Sequence, residues 1–342
     1  MAAKRPMPQP KPDIALFALG GTIAMTTGDA PGVVPSLSGE SLVQAVPALA
    51  EHARLRVRSF RQLPGSHLSY ADLEALVVAI ERAVAEGARG VVVTQGTDSI
   101  EESAFILDRL LALDAPVVVT GAMRNPVQSG ADGPANLLAA VQVAASEQAR
   151  GMGCLVVFNE RIHAARFVRK AHTSNPGAFD TPLAGPLGWV AEGRVRIVLR
   201  PESVPPLPPC DEIREAPVAL LTMSLGDGPE LVRALAGQGF AGLVMAGAGA
   251  GHVSPPLAEA LGELASRMPV VLASRIAYGE VLRDTYGYPG SEIDLLKRGL
   301  LHAGWLDPLK AKALLALCLR YGLRNADQLH ARFAPWGGGY LG

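Results

Sequence analysis

The sequence has few cysteines, few charged residues and no long apolar run, and each shortage excludes a class of protein. Its three cysteines, Cys154, Cys210 and Cys318, are far apart and form no CxxC pair. This argues against a disulfide framework and fits a reducing compartment. No window reaches the roughly 18 consecutive apolar residues that a membrane span requires. The basic, proline-rich start of the chain lacks the apolar run of a signal peptide, so we expect a cytoplasmic protein.

The motifs of metal and nucleotide chemistry are also missing. The seven histidines are scattered without an HExxH or HxxxH pattern, so we predict no metal site. There is no GxGxxG, so we expect no dinucleotide and no other cofactor. A net charge of −1 without a basic block argues against a nucleic-acid partner. Hydrophobic residues make up 49% of the chain and charged residues 18%, which predicts a substantial core rather than disorder.

The first two hundred residues alternate short β-branched runs with stretches of helical periodicity. The predicted strands are Ile14–Leu19, Leu55–Phe60, Gly90–Thr94, Pro116–Thr120 and Cys154–Phe158. The predicted helices are Ser41–Leu49, Ala71–Glu86, Ser99–Leu113 and Gly133–Glu147. Continuous apolar strands that alternate with helices are typical of a mainly parallel sheet covered on both faces.

A proline-rich segment, Arg200–Pro217, holds neither a helix nor a central strand and predicts a linker. A shorter α/β pattern follows it. Its predicted strands are Val218–Thr222, Gly242–Met245 and Pro269–Ala273, and its predicted helices are Gly228–Leu235, Pro256–Arg267, Pro308–Tyr321 and Ala326–Ala331. We therefore predict two α/β domains, a larger N-terminal one at 13–205 and a smaller C-terminal one, also with a parallel sheet, at 216–335.

Two of the predicted strands end in a small-residue turn that carries a threonine. The first runs into Gly20-Gly21-Thr22, and the third runs into Gln95-Gly96-Thr97-Asp98. Ligands of parallel α/β sheets bind outside the carboxyl ends of the strands, which is where these turns lie. The polar residues have a second interpretation, because Asp98-x-x-Glu101 and Ser99-x-x-Glu102 both fit a capping box for the following helix.

Thr97, Asp98 and Lys170 together supply the parts of an activated nucleophile. A threonine hydroxyl is a poor nucleophile unless a base takes its proton. A lysine kept neutral by burial is such a base, and an aspartate can hold it in place. Thr22 adds a second hydroxyl at a neighbouring strand end, and backbone N–H groups of the glycine-rich turns can stabilise an oxyanion. A lone lysine is usually a solvated surface residue, so the set, more than any member, indicates acyl transfer on an amide.

At these residues the sequence resembles the bacterial-type L-asparaginases, a family of type I and type II asparaginases and glutaminase-asparaginases. The resemblance runs from about Ile14 to about Phe333. "ALGGTIA" and "VVVTQGTDSIEESAFILD" are similar to the family's two threonine motifs. "PVVVTGAMR", "SGADGPANLLAAV" and "VRKAHTSNPGAFDTPLAGPLGWV" resemble the segments that follow them, and "GSEIDLLKRGLLHAGWLDPLKAKALL" resembles the C-terminal domain. Each segment alone is a weak signal, but their order is specific.

The resemblance implies roles for individual residues. It makes Thr22 the primary nucleophile and Thr97, Asp98 and Lys170 the supporting triad. It places Ser66 and Asp98 at the α-carboxylate and α-ammonium of the substrate, with His67 next to Ser66, and Ala122 beside the side-chain amide. It also assigns Glu292, 12 residues before Gly304, to the active site of a neighbouring subunit.

Three positions depart from the family pattern. The segment after Thr22 lacks the tyrosine of the family's mobile lid, and Gly32 falls near the aligned place. Tyr70 and Tyr278 are candidates to substitute for it, and the sequence does not identify the substitute. His67 stands where glutamine or aspartate is usual. Ala250 stands where type II enzymes have an asparagine. These changes bear on kinetics and specificity more than on the class of reaction.

The resemblance implies a cofactor-free amidohydrolase that converts L-asparagine to L-aspartate and ammonia through a threonine acyl-enzyme. It also implies a homodimer or homotetramer with shared active sites. Two alternatives stay open. One is a broader glutaminase-asparaginase or another amidase. The other is a catalytically weak protein that binds asparagine.

Overall fold

The structure is a computed structural model that describes residues 11–27, 33–35 and 37–337. The chain divides into two compact units, Met1–Ser203 and Val204–Gly342. Each has an α/β fold with a mainly or wholly parallel sheet, which confirms the predicted fold class. Residues 198–217 contain neither helix nor strand, as their prolines predict.

The first unit is built on one large sheet. Its strands are β1 (Asp13–Ala18), β2 (Met25–Thr27), β3 (Val33–Pro35), β4 (Arg54–Ser59), β5 (Gly90–Thr94), β6 (Val117–Thr120), β7 (Cys154–Phe158), β8 (Arg161–Ala164), β9 (Arg169–Lys170), β10 (Phe179–Asp180), β11 (Gly188–Ala191) and β12 (Arg194–Ile197). Its helices are α1 (Gly39–Gln44), α2 (Leu49–His52), α3 (Tyr70–Ala85), α4 (Ile100–Leu110) and α5 (Gly133–Ala144).

Eight of these strands form the sheet, in the order β12-β11-β8-β7-β6-β5-β1-β4. The strands from β4 to β7 are parallel, whereas β8, β11 and β12 extend the sheet antiparallel. The short pairs β2–β3 and β9–β10 lie outside this sheet. Gly32, the position aligned with the family's lid tyrosine, lies outside the described residues, as does most of the segment around it.

The sequence explains why these elements form. Every residue of β5 is buried, as expected for a central strand of a covered sheet. Helix α3 begins with a capping box between Ser69 and Asp72 and buries Leu73, Leu76 and Ile80 at helical spacing. The single helix predicted at Ser41–Leu49 is wrong. The structure has the two short helices α1 and α2 there, and Pro47, which lacks an N–H, lies between them.

The second unit has a four-stranded sheet of its own. Its strands are β13 (Val218–Thr222), β14 (Gly242–Gly247), β15 (Val270–Ser274) and β16 (Leu301–His302), in that order and all parallel. Its helices are α6 (Glu230–Leu235), α7 (Pro255–Ala265), α8 (Glu292–Lys297), α9 (Pro308–Arg320) and α10 (Ala326–Phe333). Short α8 and β16 were not among the predicted elements.

The parallel strands of the first unit bring their carboxyl ends to one edge. The register pairs Ala18 of β1 with Ser59 of β4 and with Thr94 of β5, and pairs Thr94 with Thr120 of β6. The turns that follow these four strands are therefore neighbours. Three of these turns, those after β1, β4 and β5, carry the glycines described below.

Two buried histidines make the fold sensitive to acid. Burial, reinforced by Arg161, lowers the pKa of His163 from 6.5 to about 4. Burial, reinforced by Arg283, does the same for His302. The unfolded chain therefore binds more protons than the folded one between pH 6.5 and 4, so the free energy of unfolding falls as the pH falls through this window. Between pH 7 and pH 4.5, we expect each of these histidines to lower the free energy of unfolding by about 2 kcal/mol.

Urea denaturation of the wild type at pH 7 and pH 4.5 measures this loss. His302→Gln should lose less stability than the wild type over the same interval, because its side chain does not titrate. His330→Gln, which changes an exposed histidine, is the matched control and should behave like the wild type. Equal acid sensitivity of all three proteins would contradict the assignment to His302.

Candidate active site

Three glycines bring the turns after β1, β4 and β5 into backbone contact. A Cβ atom added to Gly21 would lie 2.1 Å from the backbone nitrogen of Gly96, and one added to Gly96 would lie 2.4 Å from the backbone nitrogen of Gly65. No side chain fits at such distances. Gly21 also has a φ of +81°, which L side chains rarely adopt. The residues that directly follow these glycines are Thr22, Thr97 and Ser66, three of the predicted site residues.

Lys170 joins this edge from β9 and bonds to the turn after β5. Its Nζ donates to Oγ1 of Thr97 at 3.0 Å and to Oδ1 of Asp98 at 2.6 Å. The lysine side chain is 15% exposed, whereas the Asp98 side chain is 66% exposed. The hydroxyl and the amine are within proton-transfer distance, and the carboxylate fixes the amine from the open side.

The contacts of Asp98 and Ser99 do not support the capping interpretation. Ser99 is the N-cap of α4, but its side chain makes no capping hydrogen bond. Its hydroxyl donates instead to the carbonyl of Gly65 at 2.7 Å, which ties the turn after β5 to the turn after β4. The polar residues at this strand end therefore connect the turns of the site.

Buried Gln95 and Ser103 support the same turns and were not singled out from the sequence. Ser103 Oγ donates to Oε1 of Gln95 at 2.8 Å, and Gln95 Nε2 donates to the carbonyl of Gly96 at 3.3 Å. Gln95 is fully buried. The sequence signal was a single glutamine between an apolar strand and Gly96. A side-chain amide is buried at such a position only where it has hydrogen-bond partners.

Ser66 and His67 are exposed and share a single 3₁₀ turn, Gly65–His67, next to the glycine contact. This agrees with a role in holding a polar part of a ligand rather than in packing.

The turn after β6 carries Ala122, which is fully buried. Asn136 Nδ2 donates to the carbonyl of Gly121 at 3.0 Å. Asp132 accepts from the backbone nitrogens of Met123 and Arg124 at 3.0 and 2.9 Å. Both side chains lie at the start of α5, so the backbone around Ala122 is fixed by a helix terminus.

Glu292 belongs to the second unit, unlike the other predicted site residues. Its side chain is fully buried, and its oxygens accept from the backbone nitrogens of Thr285 and Tyr286 and lie 3.1 Å from His252 Nε2. Burial disfavours its ionised form, but the backbone N–H groups and His252 outweigh this effect and lower the pKa of Glu292.

Across residues 11–27, 33–35 and 37–337, no group of three or more histidine, cysteine, aspartate or glutamate side chains is placed to hold a metal ion. Within the same ranges, no helix has both the length and the apolar character that crossing a bilayer requires.

The glycine contact predicts that a methyl group at Gly96 separates the turns. Gly96 has a φ of −65°, so alanine introduces no backbone strain there and acts through its volume alone. We expect Gly96→Ala to lower the free energy of unfolding by about 1–3 kcal/mol. We also expect it to slow the hydrolysis of asparagine implied by the resemblance roughly 100-fold, because small displacements of reacting groups are costly.

Gly87→Ala is the control for this prediction. Gly87 has a φ of +97° and no atom within 4 Å of an added Cβ, so alanine adds strain without a clash. This variant should lose stability and keep its turnover. Comparable turnover of Gly96→Ala and the wild type in an ammonia-release assay would show that the contact does not position the site.

Residues 13–203 match the model of the asparaginase N-terminal domain, and residues 217–333 match that of the glutaminase/asparaginase C-terminal domain. An L-asparaginase from Bacillus licheniformis is 35% identical over 315 residues, which cover 90% of this chain and 95% of that protein. L-asparaginase 2 of Escherichia coli K12 is 31% identical, with 90% of this chain and 89% of that protein covered.

The fold is similar to a solved structure as well. The crystal structure of a probable cytoplasmic L-asparaginase from Campylobacter jejuni aligns with a TM-score of 0.85 and 31% identity, and the match covers 95% of this chain and 99% of the other. Both domain models match in the order found in the chain, and the relatives are similar over nearly their whole length. The chain belongs to the bacterial-type L-asparaginase family.

Proposed function

We propose that the chain hydrolyses the side-chain amide of L-asparagine to give L-aspartate and ammonia. The observation that carries this proposal is the position of Lys170 between Thr97 and Asp98, at the sheet edge where the turn carrying Thr22 touches the turn carrying Thr97. Relatives at 31–37% identity that bear the name L-asparaginase support it.

Thr22 and Thr97 have different roles in the proposed mechanism. The hydroxyl oxygen of Thr22 attacks the amide carbon, the C–N bond breaks, and ammonia leaves with the proton that the hydroxyl gives up. Water then cleaves the ester and releases aspartate. Lys170 lies 3.0 Å from the Thr97 hydroxyl and acts as the base that takes its proton, so that Thr97 can accept a proton from a reacting group.

The remaining site residues bind and polarise the substrate in this proposal. Ser66, His67 and Asp98 are exposed at the sheet edge and hold the polar α-carbon end of asparagine. Backbone N–H groups of the turns, including that of Ala122, surround the amide carbonyl and stabilise the oxyanion. The turns are anchored by side chains that do not touch the substrate, so this stabilisation is preorganised.

We also propose a cytoplasmic location and a homodimer or homotetramer with shared sites. The likeness to a Campylobacter jejuni protein described as cytoplasmic and the three free cysteines support the location. Glu292 lies in the unit that lacks the threonines and the lysine, which is consistent with a site completed by a second copy. Closed two-fold symmetry would make such an exchange reciprocal.

The roles of the threonines are tested by two substitutions. Thr22→Ala should abolish the acyl-enzyme, and Thr97→Ala should impair its formation, each lowering kcat by about 10³-fold or more. Rapid quenching followed by peptide mass spectrometry should find an aspartyl group on the peptide that contains Thr22. A label on the Thr97 peptide would reverse the roles assigned to the two threonines. A variant that retains about a tenth of wild-type turnover or more would show that the substituted threonine does not have its assigned role.

The same assay separates the alternatives. Faster ammonia release from glutamine than from asparagine would make the protein a glutaminase-asparaginase. Tight binding of asparagine without ammonia release would make it a binding protein.

Exchange of sites between subunits is tested by mixing two inactive variants. Thr22→Ala and Glu292→Ala should each be inactive alone. When equal amounts are unfolded and refolded together, random pairing gives mixed pairs in which one shared site carries both changes and the other carries neither. The mixture should recover roughly a quarter of wild-type activity. A mixture that stays inactive, although each variant alone refolds to an oligomer of native size, would show that Glu292 does not act in a neighbouring site.

A further inference from the structure

A groove runs between helix α3 and strand β4, the strand at one end of the eight-stranded sheet. The register pairs Ala15 of β1 with Arg56 of β4 and Phe17 with Arg58, so these four side chains share one face of the sheet. The groove has a volume of about 330 Å³, at the lower end of the range of small-molecule sites. We call it the basic groove, and its main lining residues are Ala15, Phe17, Arg56, Arg58, Ala79 and Ala83.

Small and apolar side chains form the inner surface of the groove. Ala79 and Ala83 are one turn apart on α3, and both line the groove together with Ala15 of β1. Phe17 is buried and packs edge-on against Phe60 at 6.0 Å between ring centroids. The three methyl groups leave space, and the surface behind that space is apolar. The ring or hydrocarbon part of a ligand could therefore be buried there.

The rim of the groove is positively charged. Three arginines and one glutamate line it, and three positive charges against one negative charge leave a net charge of +2. Glu86 accepts a hydrogen bond from Arg82 at 2.8 Å. This bond lowers the pKa of Glu86, with a smaller contribution from Arg56, so the carboxylate is ionised and held mainly by Arg82. The charge in excess is therefore that of Arg56 and Arg58 on β4.

Arg56 and Arg58 have donors to spare for a ligand. Both side chains are exposed. Arg56 uses one nitrogen, Nη2, to donate to the carbonyl of Ala83 at 3.2 Å. The guanidinium carbon of Arg58 lies 5.3 Å from the ring centroid of Phe60, and within the described ranges Arg58 has neither a hydrogen bond nor an ion pair. Each guanidinium carries five N–H donors, so most of them are open to an anion.

Arginines on an edge strand have a second interpretation, because charges there oppose pairing with another chain. Arg54 fits it well. It lies two residues before Arg56 on β4 and pairs with Asp13 at 2.8 Å, outside the groove. Protection of an edge requires only charge, however. It does not account for an apolar space of ligand size directly beside Arg56 and Arg58.

We propose that the basic groove binds a small phosphomonoester, a phosphate group on an apolar or ring-shaped body, as in a nucleoside monophosphate. Such a group presents three terminal oxygens and close to two negative charges, which suit two guanidinium forks, whereas a carboxylate is satisfied by one. Arg56 and Arg58 are roughly 7 Å apart along the strand, within reach of one phosphate. None of the groove residues belongs to the candidate active site, so this inference does not depend on the proposed function.

Calorimetric titrations of the full chain with adenosine monophosphate, inorganic phosphate and adenosine, at one ionic strength, test the ligand class. Adenosine monophosphate should bind most tightly, because it engages both the arginines and the apolar surface. Inorganic phosphate should bind more weakly, and uncharged adenosine should not bind measurably. The proposal is overturned if adenosine monophosphate does not bind, or if either of the other two binds as tightly as it does.

Substitutions test the site. Arg56→Gln and Arg58→Gln should each raise the Kd for adenosine monophosphate about tenfold or more. Arg58→Lys keeps the charge but lacks the fork, so it should also weaken binding. Ala83→Leu keeps every charge and fills the groove, and leucine is a good helix former. It should weaken adenosine monophosphate more than inorganic phosphate. Arg54→Gln, on the same strand but outside the groove, is the matched control and should leave the Kd unchanged.

Two results with the variants would overturn the proposal. Equal losses in Arg54→Gln and Arg58→Gln would show a diffuse effect of surface charge. An unchanged Kd in Arg58→Gln and Ala83→Leu would place the bound ligand elsewhere on the chain. The melting temperature without ligand, measured for every variant, shows that the substituted proteins are folded. Because the readout is binding, an inactive wild type would refute the proposed hydrolysis and leave this test unaffected.

Discussion

The candidate site depends on the contact between Gly21, Gly96 and Gly65. Main chains approach this closely only where no Cβ intervenes, and three separate turns meet the requirement at one edge of the sheet. The parallel register of β4, β1 and β5 aligns the ends of the strands, and the glycines close the remaining distance. Each of these glycines is followed by a hydroxyl residue, so the backbone contact places three hydroxyl residues in adjacent turns.

Side chains around this contact hold the turns in place through hydrogen bonds. Ser99 links two of the turns, and Gln95 and Ser103 hold one of them from the buried side. The turn after β6 is held separately, by Asp132 and Asn136 at the start of α5. The reactive residues are therefore positioned by neighbours that are buried or bonded to backbone, as catalytic preorganisation requires.

Much of this arrangement could be predicted from sequence because it is local. The strands Gly90–Thr94 and Cys154–Phe158 are bounded by abrupt changes in apolar character and were predicted to the residue. The order of a parallel sheet then implies that its carboxyl ends share an edge. Lys170 could be grouped with Thr97 and Asp98 by chemistry and family resemblance, and the structure brings the three together.

The rest depends on contacts between residues distant in sequence. The antiparallel strands β8, β11 and β12 are only four residues long, too short for their sequence patterns to identify them, so tertiary pairing decides them. Nothing local shows that Glu292 is buried, since glutamate is usually exposed. His252, 40 residues away, and the backbone of a preceding loop satisfy it. No spacing rule connects these positions.

The placement of Lys170 on the two-residue strand β9 has a consequence for how such a protein can evolve. Among the described residues this strand pairs only with β10 and lies outside the eight-stranded sheet, whereas Thr97 follows a central strand of that sheet. Lys170 and Thr97 therefore lie on structurally separate elements. A lineage could lose this lysine, and with it the catalytic role proposed for it, while the large sheet and its turns persist. Descendants that sense an amino acid instead of consuming it would then lie only a few substitutions away.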